Sequence, residues 1–230
     1  MGYQYLINIT TQHSARTSTS KLRMNLSAKR TSSSSSVVRF QLSSTNSLII
    51  QIGDISKWFI DGSTDAIVNP ANKGMVEDKD VTPKTKIVCA QAIHNAAGLD
   101  LLRACKNVPE VLPGVRCPTG EAFITPGFML PASHVIHTVG PIYNVDSNPA
   151  ASLASAYRNS LRIAKENNIQ YIAFPAISCG VHGYPYDEAA TVAISTVKEF
   201  QYDFKEVHFV LFASDICDIW LNKSDELLKD

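Results

Sequence analysis

Acidic residues are missing from the first 53 positions: the earliest carboxylate is Asp54, while Arg16, Lys21, Arg23, Lys29, Arg30 and Arg39 are scattered before it among serines and threonines. Such acid-poor, basic, serine-rich composition cannot build a packed core and is that of an organellar transit peptide, with a disordered tail as the other reading. A chloroplast is the destination on the first reading, cytoplasm or nucleus on the second. The division expected is a separate segment over 1–46 and one folded domain over 47–230.

Net charge is also lacking, because 21 Lys and Arg balance 21 Asp and Glu. That excludes a strong overall field of the kind that holds long nucleic acid by counterion release. No run reaches the ~20 apolar residues that cross a bilayer, so no membrane partner is expected. The five cysteines, Cys89, Cys105, Cys117, Cys179 and Cys217, are odd in number and include no C-x-x-C pair. A disulfide framework and a cysteine zinc site are both disfavoured, and a reducing compartment fits. His134 and His137 have no ligand partner at metal-like spacing, so neither a metal nor a cofactor is predicted.

What is present is enough apolar material, 45% of 230 residues, for one domain with a sizeable core. Strands are predicted over 47–52, 65–69, 121–125, 134–139, 171–175 and 207–213. Helices are predicted over 90–97, from a cap at Asp100 through Cys105, through Leu153, Tyr157, Leu161 and Ala164, over 186–200 and over 215–228. Alternation of the two types predicts a three-layer α/β/α domain, with a mixed sheet because 121–139 reads as a local antiparallel pair.

The segment FPAISCGVHGYP at 174–185 turns from an apolar strand into a glycine-bearing turn followed by a helix. Such a turn can aim several backbone N–H groups at one anion, or can merely supply positive φ. Cys179 lies in it, but no neighbouring residue is marked as a base that would make it a nucleophile. The segments AIVNPAN at 66–72 and SLIIQIGDI at 47–55 also end apolar runs in polar residues, as strand ends facing one cleft do.

Together with AIHNAAG at 92–98 and HTVGP at 137–141, these strings resemble a macro domain, in particular the MacroD-like class and the plant proteins described as ADP-ribose 1''-phosphate processing enzymes. The resemblance covers about 47–223. It implies binding of ADP-ribose or of a mono-ADP-ribosylated protein, by a monomer. It places Asp54 and the Ile55 backbone at the adenine amino group, Phe212 against the adenine ring, and Ser178, Cys179, Gly180, Val181, His182, Gly183 and Tyr184 around the diphosphate and distal ribose. Val181, His182 and Tyr184 are read there as walls and backbone donors rather than acid–base groups. Asn69 and Asn72 match the two family asparagines, with Asn72 at the reacting end, and His94 matches a family histidine near the distal ribose whose expected duty here is helix packing or capping.

The chain departs from the family between Asn72 and Ala90. Counting back from His94 places Ala90 where active relatives carry an aspartate, and the segment KGMVEDKDVTPKTKIVC holds one glycine, Gly74, where they carry a glycine run. The resemblance therefore implies a mono-ADP-ribosyl hydrolase or ADP-ribose 1''-phosphate processing fold that is weak or inactive in hydrolysis. The alternatives are a noncatalytic reader of ADP-ribosylated proteins and a product of altered splicing without ligand binding. Asp78 or Asp80 replacing the lost carboxylate, and Lys73, Lys79, Lys84 or Lys86 replacing the lost anion contacts, are further expectations.

Overall fold

The computed structural model describes residues 37–76 and 89–229. Seven strands form one sheet: β1 (Val38–Gln41), β2 (Ser47–Ile52), β3 (Asp65–Pro70), β4 (Ala122–Pro126), β5 (His134–Thr138), β6 (Tyr171–Phe174) and β7 (Glu206–Leu211). Their order is β1-β2-β7-β6-β3-β5-β4. The five central strands run parallel, and β1 and β4 close the two edges antiparallel to β2 and β5.

Helices α1 (Cys89–Ala97), α2 (Leu99–Asn107), α3 (Pro149–Glu166), α4 (Tyr186–Lys198) and α5 (Ser214–Leu228) cover the two faces. Alternation along the strands divides the core. Ala66, Val68, Phe209 and Leu211 pack with Tyr157, Ile194 and Trp220 of α3, α4 and α5, whereas Ile67 and Val210 pack with Ile93, Leu101 and Cys105 of α1 and α2. Side chains two residues apart share a sheet face, so each strand feeds both cores and the architecture is three-layered. The expected α/β/α arrangement with a mixed sheet is what the chain adopts.

Two expectations need correction. The sheet begins at Val38, inside the stretch placed outside the domain, because β1 pairs residue for residue with β2 from Val38 opposite Ile50 to Gln41 opposite Ser47. The cap of α2 is Gly98, at φ 80°, with no side-chain bond; Asp100 stands in the first turn and pairs with Arg103 at 2.7 Å. No described helix is long and apolar enough to cross a membrane.

Candidate functional site

Because β2, β7, β6, β3 and β5 run in one direction, the loops that follow them leave from the same edge of the sheet, where ligands of open α/β sheets sit. The Gly53 amide donates to the Leu211 carbonyl at 2.8 Å, which extends the β2–β7 pairing by one rung. Asp54 and Phe212 therefore leave the sheet side by side.

Asp54 caps a short 3-10 turn over Ile55–Lys57; it accepts from the Ser56 amide at 3.0 Å and the Ser56 hydroxyl at 2.7 Å, and Lys57 Nζ lies 3.3 Å away. The Ser56 hydroxyl bond outweighs opposing burial, with help from the Ser56 amide and Lys57, and holds the carboxyl below its ordinary range. Capping leaves lone pairs on the carboxylate for an outside donor. The Phe212 ring is 67% exposed, an open apolar plate at the same place. The Cys89 thiol is nearby: burial first, then the Asp54 charge, push it up to about 12.

The turn after β6 crosses itself through bonds from the Tyr184 amide to the Ser178 carbonyl and from the Gly183 amide to the Gly180 carbonyl, both 3.0 Å. Ser178 at φ 64° and Gly183 at φ 65° both take left-handed backbone. Among the described residues no protein acceptor takes the amides of Gly180, Val181 and His182, so three consecutive N–H groups remain for an anion. Ser178 is buried, and its hydroxyl has no partner. It sits against the backbone of Gly140, where an added Cβ would meet Ser178 Oγ at 2.2 Å and Ile177 Cγ2 at 2.5 Å. That close approach joins the turns after β5 and β6. Cys179 is buried and its thiol is pushed up to about 12, so it stays protonated and is no nucleophile. Tyr184 is buried as well, edge-on to Tyr143 with centroids 4.8 Å apart.

Beyond this turn opens a cavity of about 480 Å³ walled by Asn72, Lys73, Thr119, Gly140, Asp146 and His182, with Ile142 and Val145 as apolar sides. The Asn72 amide bonds the Val76 backbone in both directions, Nδ2 to the carbonyl at 2.6 Å and the Val76 amide to Oδ1 at 3.3 Å. The backbone beside it is fixed by the Arg116 and Cys117 amides, which donate to the Lys73 carbonyl at 2.8 and 3.0 Å. Asp54, Phe212, the turn and Asn72 thus come from separate strand ends to one edge. Ala90, the second residue of α1, offers only a methyl group. The expectations resting on Asp78, Asp80, Lys79, Lys84 and Lys86 fall outside the described residues.

Asn69 is a correction. Its side chain is fully enclosed, with Nδ2 3.0 Å from His137 Nδ1, so it belongs to the core beneath the cleft and not to its wall. Alternation along β3 sends it to the face opposite Val68, which sequence spacing alone does not weigh against a motif match.

The same core gives His137 neighbours that spacing did not reveal. His94, Cys105 and His137 place ligand atoms within 4.8 Å of one another. They do not present a metal-ready set: Thr125 Oγ1 lies 2.9 Å from His137 Nε2 and Asn69 holds Nδ1, so both ring nitrogens are engaged. Burial, with the His94 charge adding to it, lowers His137 to about 3, and burial raises Cys105 to about 11. A neutral imidazole and a protonated thiol make a packed polar core, and His94 serves helix packing with its ring 6.3 Å from that of His137.

Sequence reading also missed Asp65 and the cavity residues Thr119, Gly140 and Asp146. Asp65 is wholly buried and accepts the amides of Ile60, Asp61, Gly62 and Ser133 at 2.8 to 3.1 Å, which pins the chain entering β3 to the loop before β5. The available signal was a carboxylate opening an apolar strand three residues after glycine.

The Macro domain family is matched over residues 68–193. A macro domain-containing protein of Vibrio parahaemolyticus is 42% identical over 175 residues, 76% of this chain and 95% of that protein. An O-acetyl-ADP-ribose deacetylase of Klebsiella pneumoniae is 45% identical over 162 residues, covering 70% and 85%. Among solved structures, an Oceanobacillus iheyensis macrodomain with ADP superposes with TM-score 0.75 at 38% identity, covering 85% of this chain and 98% of that one. A Trypanosoma brucei macrodomain in complex with ADP-ribose gives TM-score 0.62 at 29% identity, covering 76% and 68%.

Proposed function

The chain belongs to the macro domain family, and from that membership and the geometry of its cleft we propose that it binds ADP-ribose, free or as the terminal unit on a modified protein. On this reading the adenine rests on Phe212, with its amino group donating to Asp54 and the Ile55 backbone beside it. The diphosphate lies over the open amides of Gly180, Val181 and His182, and the distal ribose enters the cavity between Asn72 and His182. The observation that carries the reading is the convergence of an exposed aromatic, a capped carboxylate, an amide-lined turn and a cavity on one sheet edge.

Reaction chemistry is expected to be slow. Relatives of this chain include O-acetyl-ADP-ribose deacetylases, so the reaction class is hydrolysis at the distal ribose. Activation of water by a positioned base contributes ~10²–10⁴ in rate, and a methyl group at Ala90 contributes none of it. Binding does not need that residue, because adenine and diphosphate contacts come from other loops. A noncatalytic reader of ADP-ribosylated proteins is the second reading, favoured by the same substitution.

Calorimetric titration with ADP-ribose, run beside a de-modification assay on a mono-ADP-ribosylated acceptor, tests both readings. Saturable binding with turnover well below that of a relative with an intact loop is expected. Turnover equal to that relative defeats the slow-hydrolysis claim, and no binding by folded protein defeats the ADP-ribose reading. Asn72→Ala is expected to lower turnover far more than affinity.

A further inference from the structure

The cavity that receives the distal ribose must supply any proton acceptor for the reaction, and its described side chains offer few. Asn72 and Thr119 are neutral and do not take up a proton in the ordinary range, and Lys73 is a cation. That leaves Asp146 and His182. The Asp146 carboxylate is anchored to the start of α3, where Oδ1 accepts the Asn148 amide at 2.9 Å and both oxygens take the Ser152 hydroxyl at 3.0 to 3.1 Å, so it is less free than His182 to turn toward a water. His182 is different. Its backbone is held by the Tyr143 amide, which donates to its carbonyl at 3.0 Å, while its imidazole makes no hydrogen bond to any described residue.

We propose that His182 is a catalytic residue of this chain, the base that activates water for hydrolysis at the distal ribose in place of the absent carboxylate. The inference rests on the ADP-ribose reading and adds a residue role to it. In the step, the water oxygen forms a bond to the anomeric carbon of the distal ribose. The bond from that carbon to the ester oxygen of a modified Asp or Glu side chain breaks, and its electron pair leaves as the carboxylate. The proton lost by water passes to the free imidazole nitrogen of His182 and from there to solvent. Asn72, which lines the same cavity, orients the sugar, and the ammonium of Lys73 beside it favours departure of an anion.

This assignment departs from the sequence-based view of His182 as a wall. Position in the chain showed only a histidine between two glycines, whereas the fold brings it into one cavity with Asn72 and anchors the competing carboxylate to α3.

The test uses the full chain and an acceptor protein mono-ADP-ribosylated on glutamate. Slow release of ADP-ribose is expected from the parent, falling by ~10²-fold or more in His182→Gln and His182→Ala. Millimolar imidazole should restore part of the His182→Ala rate, which a merely structural role for the side chain would not produce. ADP-ribose titration of each variant, with circular dichroism to establish folding, separates the two claims. If the parent binds ADP-ribose but releases none, or if His182→Gln keeps the parent rate, the proposal is overturned while the binding reading stands, and in the second case the base must come from elsewhere. If folded parent binds no ADP-ribose, the binding reading fails and this inference with it.

Discussion

The turn after β6 and the wall after β3 face the same cleft, yet they are built on different terms. The turn is fixed from within by backbone bonds across residues 178–184, left-handed Ser178 and Gly183, and the contact with Gly140, and three of its amides have no acceptor among the described residues. On the wall, Asn72 and the Lys73 carbonyl are bonded to neighbouring backbone, and at the start of α1 Ala90 presents a methyl group where a carboxylate is expected from the family pattern. A binding surface and a reacting group supplied by separate loops can change separately. Anion recognition here depends on backbone geometry, which tolerates side-chain exchange; water activation depends on one functional group, which does not.

Rebuilding the wall is the strongest challenge to this contrast. Replacing the segment after Asn72 with a glycine run and an aspartate at position 90 should raise turnover with the turn untouched, by less than the ~10²–10⁴ a positioned base contributes where His182 already supplies part of it. No gain in single-turnover release of ADP-ribose would show that the defect lies elsewhere in the cleft.

Damage to the turn should act on affinity instead. Gly140→Ala forces a Cβ against Ser178 and Ile177, and overpacking of this kind costs ~1–3 kcal/mol. If that distortion is expressed in the bound state, ADP-ribose affinity falls by roughly 5- to 150-fold, measured by calorimetry. An unchanged Kd would mean the turn does not grip the diphosphate. Phe212→Ala should be milder, since the ring is two-thirds exposed: a loss of ~1 kcal/mol of stacking lowers affinity about fivefold, with melting temperature unchanged.

The smallest effect concerns the core under the wall. His137 has a folded pKa of about 3, depressed from 6.5 by burial, so the unfolded chain binds the extra proton first as pH falls. Its contribution is complete above about pH 6.5 and is lost progressively towards pH 3. Between pH 7.5 and 5.5 the loss is on the order of 1 kcal/mol, or a few °C in melting temperature. His208, also lowered mainly by burial, acts with the same sign on β7. Hydrogen exchange should show the amides of β3 and β5 losing protection in that window before those of the turn; simultaneous loss would erase the distinction between the two regions.

Much of this was readable in advance. Helices and central strands appeared within a few residues of their places because apolar periodicity is a local property that burial enforces. The edge strand β1 was not read, since Val38 to Gln41 alternates apolar and polar residues over only four positions after a serine run, too short a pattern to stand out. Asp54, Phe212 and the glycine turn were proposed through motif order, and all leave the sheet at one edge. Asn69 was assigned to the cleft by the same motif, and Asp65 was overlooked. Both are polar groups whose meaning depends on partners 68 residues away, His137 and Ser133.

By itself the sequence determined the layers, the mixed sheet and the broken family pattern between Asn72 and Ala90, because strand period, helix period and residue identity are written along the chain. Tertiary structure alone decided which polar side chains face the cavity and which are consumed by neighbours. It turned Asn69 inward to His137, committed Asp146 to Ser152 and Asn148, and left His182 open. The physical reason is that a side chain's chemistry is set by the hydrogen bonds it has left to make, and those depend on what folding brings beside it.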